Sequence, residues 1–281
     1  MKNKPTLVTL VAFVTLVTLN AQAPRRIISL VPNVTEILYA IGAGPQVVGV
    51  SNYDVEPPEV RSLPTVGALL DPDTEKIISL KPDLVITYGS QTDLQSQLGS
   101  AKIPFFDYRH GGLAHITATM RALGARTGHV EQAEQAARSL DAAIDAVRKR
   151  VAGKPRPRTL LVFGREPGSL RNIYASAGRG FLHDMLVAAG GEDVLTDIDK
   201  ESAQVSTEVI LARAPDVILE LNSSNRLNDA DLKKVVDPWM KLSSVPAVKN
   251  RRVIILTGSG LTVPGPRVAD GVDKMAKALH P

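Results

Sequence analysis

Tyr53, Tyr88 and Arg165 are the side chains best suited to recognising a ligand. Each falls in a short loop after an apolar run, at 51–54, 88–89 and 164–166. Two further loops of this kind are Pro32-Asn33 and Ser259-Gly260-Leu261-Thr262-Val263. Tyrosine offers a flat apolar face with a hydroxyl at its tip, and arginine a planar fork for carboxylate, amide or phosphate oxygens. Together they suit a bulky, partly flat ligand with polar edges. Aromatic residues make up only 4% of the chain, so an aromatic in a loop requires a reason.

Signatures of catalysis are weak. Ser202 and Ser206 lack the G-x-S-x-G turn of a hydrolase nucleophile. The five histidines, at 110, 115, 129, 183 and 280, show no H-E-x-x-H spacing, so no metal site or resident cofactor is expected. His110, beside Tyr108 and Arg109, is the histidine best placed to meet a ligand. Gly164-Arg165-Glu166-Pro167-Gly168 lacks the Lys and Ser/Thr of a phosphate loop. The chain has no cysteine, which excludes a disulfide framework, a thiolate metal site and a cysteine nucleophile. The net charge of +4 is small and dispersed, and no basic stretch is interleaved with aromatics, so nucleic acid is not an expected partner.

The elements that must position these residues are organised around a repeat. Thr74-Glu75-Lys76-Ile77-Ile78-Ser79-Leu80-Lys81-Pro82-Asp83-Leu84-Val85-Ile86 recurs as Thr207-Glu208-Val209-Ile210-Leu211-Ala212-Arg213-Ala214-Pro215-Asp216-Val217-Ile218-Leu219. Each copy reads as a short helix opened by a Thr cap, a proline stop and a buried strand. Glu75 and Glu208 hold equivalent first-turn positions. A carboxylate there favours the helix dipole; the pair also makes two symmetry-related acidic knobs for a partner with pseudo-twofold symmetry. Around the repeats, β-α-β alternation predicts parallel sheets, and an Ala-rich amphipathic stretch predicts a long helix over about 130–150. The expected fold class is α/β: two Rossmann-like lobes with parallel-type sheets, joined by one long helix, with a ligand cleft between the lobes.

At the N-terminus, Lys2 and Lys4 precede an apolar run over 7–19 and then Ala21-Gln22-Ala23, the pattern of an export signal. The run is short for a spanning helix; an uncleaved membrane anchor is the alternative. The expected organisation is a signal peptide over 1–23, a first lobe over 24–128, the long helix over 129–152 and a second lobe over 153–281.

Three stretches carry a family resemblance: Arg26-Ile27-Ile28-Ser29-Leu30-Val31-Pro32-Asn33-Val34-Thr35-Glu36, Val48-Gly49-Val50-Ser51-Asn52-Tyr53, and Glu75 through Val85. With them, essentially the whole chain after the signal resembles the helical-backbone substrate-binding proteins of ABC importers, which serve vitamin B12, haem and ferric siderophores. The resemblance is strongest to the members that carry vitamin B12. It implies a periplasmic, monomeric binding protein, not an enzyme, with little hinge closure. The implied ligand is cobalamin or a related corrinoid, with haem or a ferric siderophore as alternatives, and an exported two-lobed hydrolase as the reading from another class. It further implies that Glu75 and Glu208 dock into arginines of an importer's permease dimer. Tyr53, Tyr88, Arg165, Trp239 and Ser259 to Val263 are the expected ligand contacts. The chain departs from the B12 carriers at Leu69 and Tyr88, where they have Trp, at Ser259-Gly260-Leu261, where they have an aromatic segment, and in lacking their disulfide.

Overall fold

A computed structural model describes residues 22–222 and 227–281; most of the expected signal segment lies outside the described residues. The first half of the chain runs β1 (Ile27–Ser29), α1 (Pro32–Ala40), β2 (Val47–Val50), α2 (Thr74–Ser79), β3 (Leu84–Tyr88), α3 (Thr92–Ser100) and β4 (Phe105–Tyr108). These strands form a sheet of order β2-β1-β3-β4, parallel throughout. Two helices follow, α4 (Leu113–Thr127) and α5 (Val130–Val151). Gly128, at φ 81°, makes the left-handed turn between them.

The second half runs β5 (Arg158–Gly164), β6 (Ile173–Ser176), α6 (Phe181–Ala188), β7 (Glu192–Asp193), β8 (Ser202–Val205), α7 (Thr207–Arg213), β9 (Val217–Asn222), α8 (Asp229–Val236), α9 (Pro246–Lys249), β10 (Val253–Thr257) and α10 (Val268–Leu279). Its sheet has the order β10-β9-β5-β6-β8, with β7 beside β5. The sheet is parallel-type at β10, β9, β5 and β7, and β6 adds an antiparallel margin, pairing antiparallel with both β5 and β8. The 165–172 loop returns the chain alongside β5, which a helical crossover would not do.

The repeat is structural as well as sequential. Its helix caps lie one residue earlier than expected. Asp73 accepts from the Lys76 N–H at 2.9 Å and Ser206 from the Val209 N–H at 3.4 Å, so Thr74 and Thr207 are already helical. Both helices end on a left-handed residue before the proline, Lys81 at φ 50° and Ala214 at φ 45°. An arginine at the start of the central strand then closes each unit. Arg26 reaches the Leu80 carbonyl at 2.6 Å, and Arg158 the Arg213 carbonyl at 2.8 Å. These bonds satisfy carbonyls that a helix end leaves open.

One buried apolar cluster passes through both lobes. It joins Ile27, Leu84 and Ile86 of the first sheet to Leu161, Val217 and Leu219 of the second, by way of α4, α5, α6 and α10. Along α5 the stripe Ala133, Ala137, Leu140, Ile144 and Val147 supplies the buried face. Each lobe also keeps a cluster of its own, with Ile28, Leu30 and Val85 in the first and Leu160, Val162 and Ile218 in the second.

Candidate functional site

On the first lobe, the loops after the strands build one wall. Ser51 and Asp54 fold the turn after β2: the Ser51 N–H donates to Asp54 Oδ2 at 2.8 Å, and the Tyr53 N–H to Ser51 Oγ at 3.2 Å. The turn leaves the Tyr53 side chain outward, 72% exposed. After β3, Gln91 accepts from the Tyr88 N–H at 2.9 Å and donates to the Leu69 carbonyl at 3.0 Å, tying two loops together. Tyr88, Tyr108 and His110 then pack as a ring cluster. The His110 ring lies 5.0 Å from the Tyr88 ring and 5.4 Å from Tyr108, which it meets edge-on. This crowding shapes the acid–base behaviour. Burial pushes the Tyr108 hydroxyl up to about 12, raises Tyr88, and lowers His110 below the usual imidazole value. The second lobe is felt here as well. The negative charge of Glu201, at the entry to β8, adds to the rise of both tyrosines and opposes the fall of His110.

Three contacts fix one lobe against the other beside this wall. Arg267 forms a bidentate pair with Glu36, Nε to Oε2 at 2.9 Å and Nη2 to Oε1 at 2.7 Å. Asn33 donates to the Pro264 carbonyl at 3.2 Å. Asp184 of α6 accepts from the Leu113 N–H at 2.9 Å, capping the N-terminus of α4 from the opposite lobe. A Cβ on the neighbouring Gly112 would sit 2.1 Å from Asp184 Oδ2, so a larger residue there would displace the capping carboxylate.

Of the expected ligand contacts, Tyr53 and Tyr88 lie on the first-lobe wall. Gly260, Thr262 and Val263 are half-buried beside the Pro264–Arg267 contact, in the segment that starts at Ser259. Three others do not face a ligand. Trp239 has no exposed surface, and its indole N–H donates to Glu220 Oε2 at 2.7 Å. The Arg165 side chain is only 3% exposed. Its Nε donates to Glu220 at 3.0 and 3.1 Å, Nη1 to the Ser169 carbonyl at 2.7 Å and Nη2 to the Val235 carbonyl, while the guanidinium lies over the Trp239 ring at 5.4 Å. All three nitrogens of that fork have partners within the second lobe, and the side chain belongs to its core. Leu261 is likewise a core residue, 1% exposed and packed in the shared cluster.

Glu75 and Glu208 are both exposed, each in the first turn of its helix. Three residues on, each helix shows an exposed aliphatic side chain, Ile78 and Leu211. The Ser206 hydroxyl helps hold the Glu208 carboxyl below its ordinary value.

Sequence reasoning passed over Glu201, Asp184 and Arg267, which carry no local signal. Asn33 and His110 stood in the right loops, but their link through Tyr108 did not show. Among the described residues no group of three or more His, Asp or Glu side chains is placed to hold a metal ion. A buried Ser176–Asp193–His183 trio does exist, but Asp193 Oδ2 sits in the middle, 3.0 Å from Ser176 Oγ and 3.3 Å from His183 Nδ1. A serine nucleophile needs the histidine next to it; this order braces α6 against β7 instead. No helix of the described residues is long and apolar enough to cross a membrane.

Comparison with known proteins fits this geometry. A family described as periplasmic binding protein matches residues 27–259. A vitamin B12-binding protein of Yersinia pestis (strain Pestoides F) is 31% identical over 238 residues, covering 83% of this chain and 83% of the relative. Among solved structures, the periplasmic vitamin B12-binding protein BtuF of Vibrio cholerae superposes with a TM-score of 0.76 at 27% identity, over 91% of this chain and 96% of that one. The periplasmic heme-binding protein RhuT from Roseiflexus sp. RS-1, in apo form, superposes with a TM-score of 0.74 at 28% identity, over 91% and 98%.

Proposed function

Since this chain belongs to the periplasmic binding protein family, we propose that it captures cobalamin or a related corrinoid in the periplasm and delivers it to an ABC importer. The observation that carries this reading is the first-lobe wall. Tyr53 and Tyr88 offer flat faces beside a lobe junction that is already pinned, which suits a broad, rigid macrocycle. The relative named for vitamin B12 supports it. On this reading residues 1–23 are an export signal and the two lobes meet along α5. The protein works as a monomer without a resident cofactor or catalytic step, and Glu75 and Glu208 engage the two subunits of the permease.

Haem is the second reading, favoured by the Tyr88–His110–Tyr108 cluster and by the likeness to a heme-binding protein; a tyrosine or histidine is a usual iron ligand. Visible-absorbance titration of the mature protein with cyanocobalamin and, separately, hemin, followed by desalting, decides between them. Cyanocobalamin retained at about one per chain supports the first reading. Hemin retained with a shifted Soret band moves the assignment to haem, and retention of neither refutes both.

A further inference from the structure

The cations of the second lobe gather at the edge of its sheet away from the ligand loops. β5, β9 and β10 run parallel, so the residues that lead into them lie side by side. The Asp216 N–H donates to the Arg158 carbonyl at 2.8 Å, and the Ile218 N–H to the Arg252 carbonyl at 3.0 Å. α9 packs here too, the Ala247 N–H donating to the Pro215 carbonyl at 2.9 Å. α10 ends here, where Arg252 Nη2 donates to the Leu279 carbonyl at 2.9 Å. Lys154, Arg156, Arg158, Lys249 and Arg251 are exposed on this edge, and Arg252 is half-buried. Arg156, Arg158 and Arg252 donate to the Gly191, Arg213 and Leu279 carbonyls, which carry no net charge to offset theirs. Lys154, Lys249 and Arg251 make no side-chain hydrogen bond or ion pair among the described residues. Against these six cations stand the side chains of Asp216 and Glu192.

Two hollows open on this edge and share Arg156. Asp216, Arg252 and His280 line the first. Arg148 and Lys154 rim the second, over Val151 and Val187. Val187 is 38% exposed, so the second hollow sets apolar surface beneath a cationic rim. A single small anion is held by donors that converge on one point. Here the cations are spread over both hollows, which suits an array of phosphates instead. A bilayer surface presents such an array with apolar material just beneath it, and long Lys and Arg stems lie along apolar surface while their heads reach phosphate. We infer that this edge of the second lobe is a docking surface for an anionic phospholipid membrane. It lies at the amino ends of β5, β9 and β10, whereas the 164–166 and 259–263 loops follow their carboxyl ends. α7 runs the length between the two edges, from Glu208 to Arg213 beside Arg158. A protein resting on lipid therefore keeps its cleft and Glu208 uncovered. The inference does not depend on which ligand the cleft holds.

The test is co-sedimentation of the mature protein with vesicles of equal parts phosphatidylcholine and phosphatidylglycerol, beside vesicles of phosphatidylcholine alone. The protein should bind the anionic vesicles only, and should leave them in about 1 M sodium chloride, where the screening length falls to about 3 Å. Each cation near an anionic surface contributes roughly fivefold to partitioning, so Lys154→Gln/Lys249→Gln/Arg251→Gln should bind about 100-fold more weakly. Its melting temperature should match the wild type, because those exposed side chains have no hydrogen bond or ion pair among the described residues to lose. Arg61→Gln/Lys76→Gln/Lys102→Gln removes the same charge from exposed positions of the first lobe and should bind as the wild type does. A first-lobe variant that loses as much overturns the assignment of this edge, and equal binding to phosphatidylcholine alone overturns its electrostatic basis. Wild-type protein that binds neither vesicle overturns the inference, and retention on heparin in that case makes the partner an anionic polymer. Inorganic phosphate that releases the protein where sodium chloride of equal ionic strength does not overturns the surface reading in favour of a single-anion site.

Discussion

Replacing Arg165 by Ala should unfold the protein more readily and leave its ligand affinity almost untouched. The sequence reading of Arg165 as a ligand contact predicts the reverse. The guanidinium is 3% exposed and the Glu220 side chain 9%, so the pair is buried in practice. Removing the arginine strands the carboxylate with, among the described residues, only the Trp239 indole N–H as a side-chain partner, at 2.7 Å. It also leaves the Ser169 and Val235 carbonyls short of a donor. Breaking one side of a buried pair costs about 3–5 kcal/mol. For a chain of this length each kcal/mol lowers the melting temperature by roughly 2–4 °C, so a fall of about 6–20 °C is expected. Arg165→Lys should give an intermediate loss, because an ammonium keeps the charge but not the fork or the stack on Trp239. The double variant Arg165→Met/Glu220→Gln should recover more than half of the loss, since it removes both charges and still gives Trp239 an acceptor. The assay is scanning calorimetry of each variant beside a cyanocobalamin titration at 25 °C. An Arg165→Ala protein that melts within about 2 °C of the wild type and binds tenfold more weakly would refute the argument.

Other perturbations separate the remaining roles. Glu75→Arg together with Glu208→Arg should abolish importer-dependent uptake and leave ligand affinity and melting temperature unchanged; uptake that survives reduces both residues to helix-start carboxylates. His110 and His280 are both held below the ordinary histidine value, chiefly by burial. The unfolded chain therefore binds more protons than the folded one below about pH 6.5, and stability falls as the pH drops from there towards the folded values. His280→Gln should flatten that fall in melting temperatures taken from pH 7.5 to 5, and superimposable curves would count against it. Asp54 and Asp193, raised by burial, contribute with the opposite sign nearer their ordinary range. Finally, Arg267→Ala should broaden the distance distribution between spin labels on Lys102→Cys and Lys241→Cys, a clean pair because the chain has no native cysteine; an unchanged distribution would mean that the Glu36 pair does not brace the lobes.

What the sequence made legible was local. The α5 stripe repeats every three or four residues, and the structure returns it over Val130–Val151. Apolar runs marked the buried strands, and the repeated Pro-Asp junction marked two equivalent units. The caps slipped by one residue because Thr, Asp and Ser all serve at that position, and only the backbone decides among them. α8 was missed although Asn228 caps it, accepting from the Asp231 N–H at 2.9 Å, because it presents no buried face. The larger misreadings came from partners distant in the chain. Arg165 finds Glu220 across 55 residues, and Asn33 finds Pro264 across 231. An arginine in a loop looks the same whether its fork meets a ligand or a buried carboxylate. The lone tryptophan likewise resembled a ligand contact until its indole was seen to share that carboxylate.

The same distant partners bear on how the cleft works. A shared apolar core and three cross-lobe contacts mean that moving the lobes apart would uncover packed surface and break a bidentate ion pair. On the binding reading, such a frame would present its cleft already formed, and binding to a formed site avoids the ordering cost that a closing one carries. It also fixes the separation of the acidic knobs. Glu75 belongs to one lobe and Glu208 to the other, so the spacing that a two-subunit partner would measure is set by the Glu36–Arg267 and Asp184–Leu113 contacts. On the docking reading, weakening that brace should impair delivery before it impairs capture, because capture depends mainly on one wall while delivery depends on the distance between two lobes.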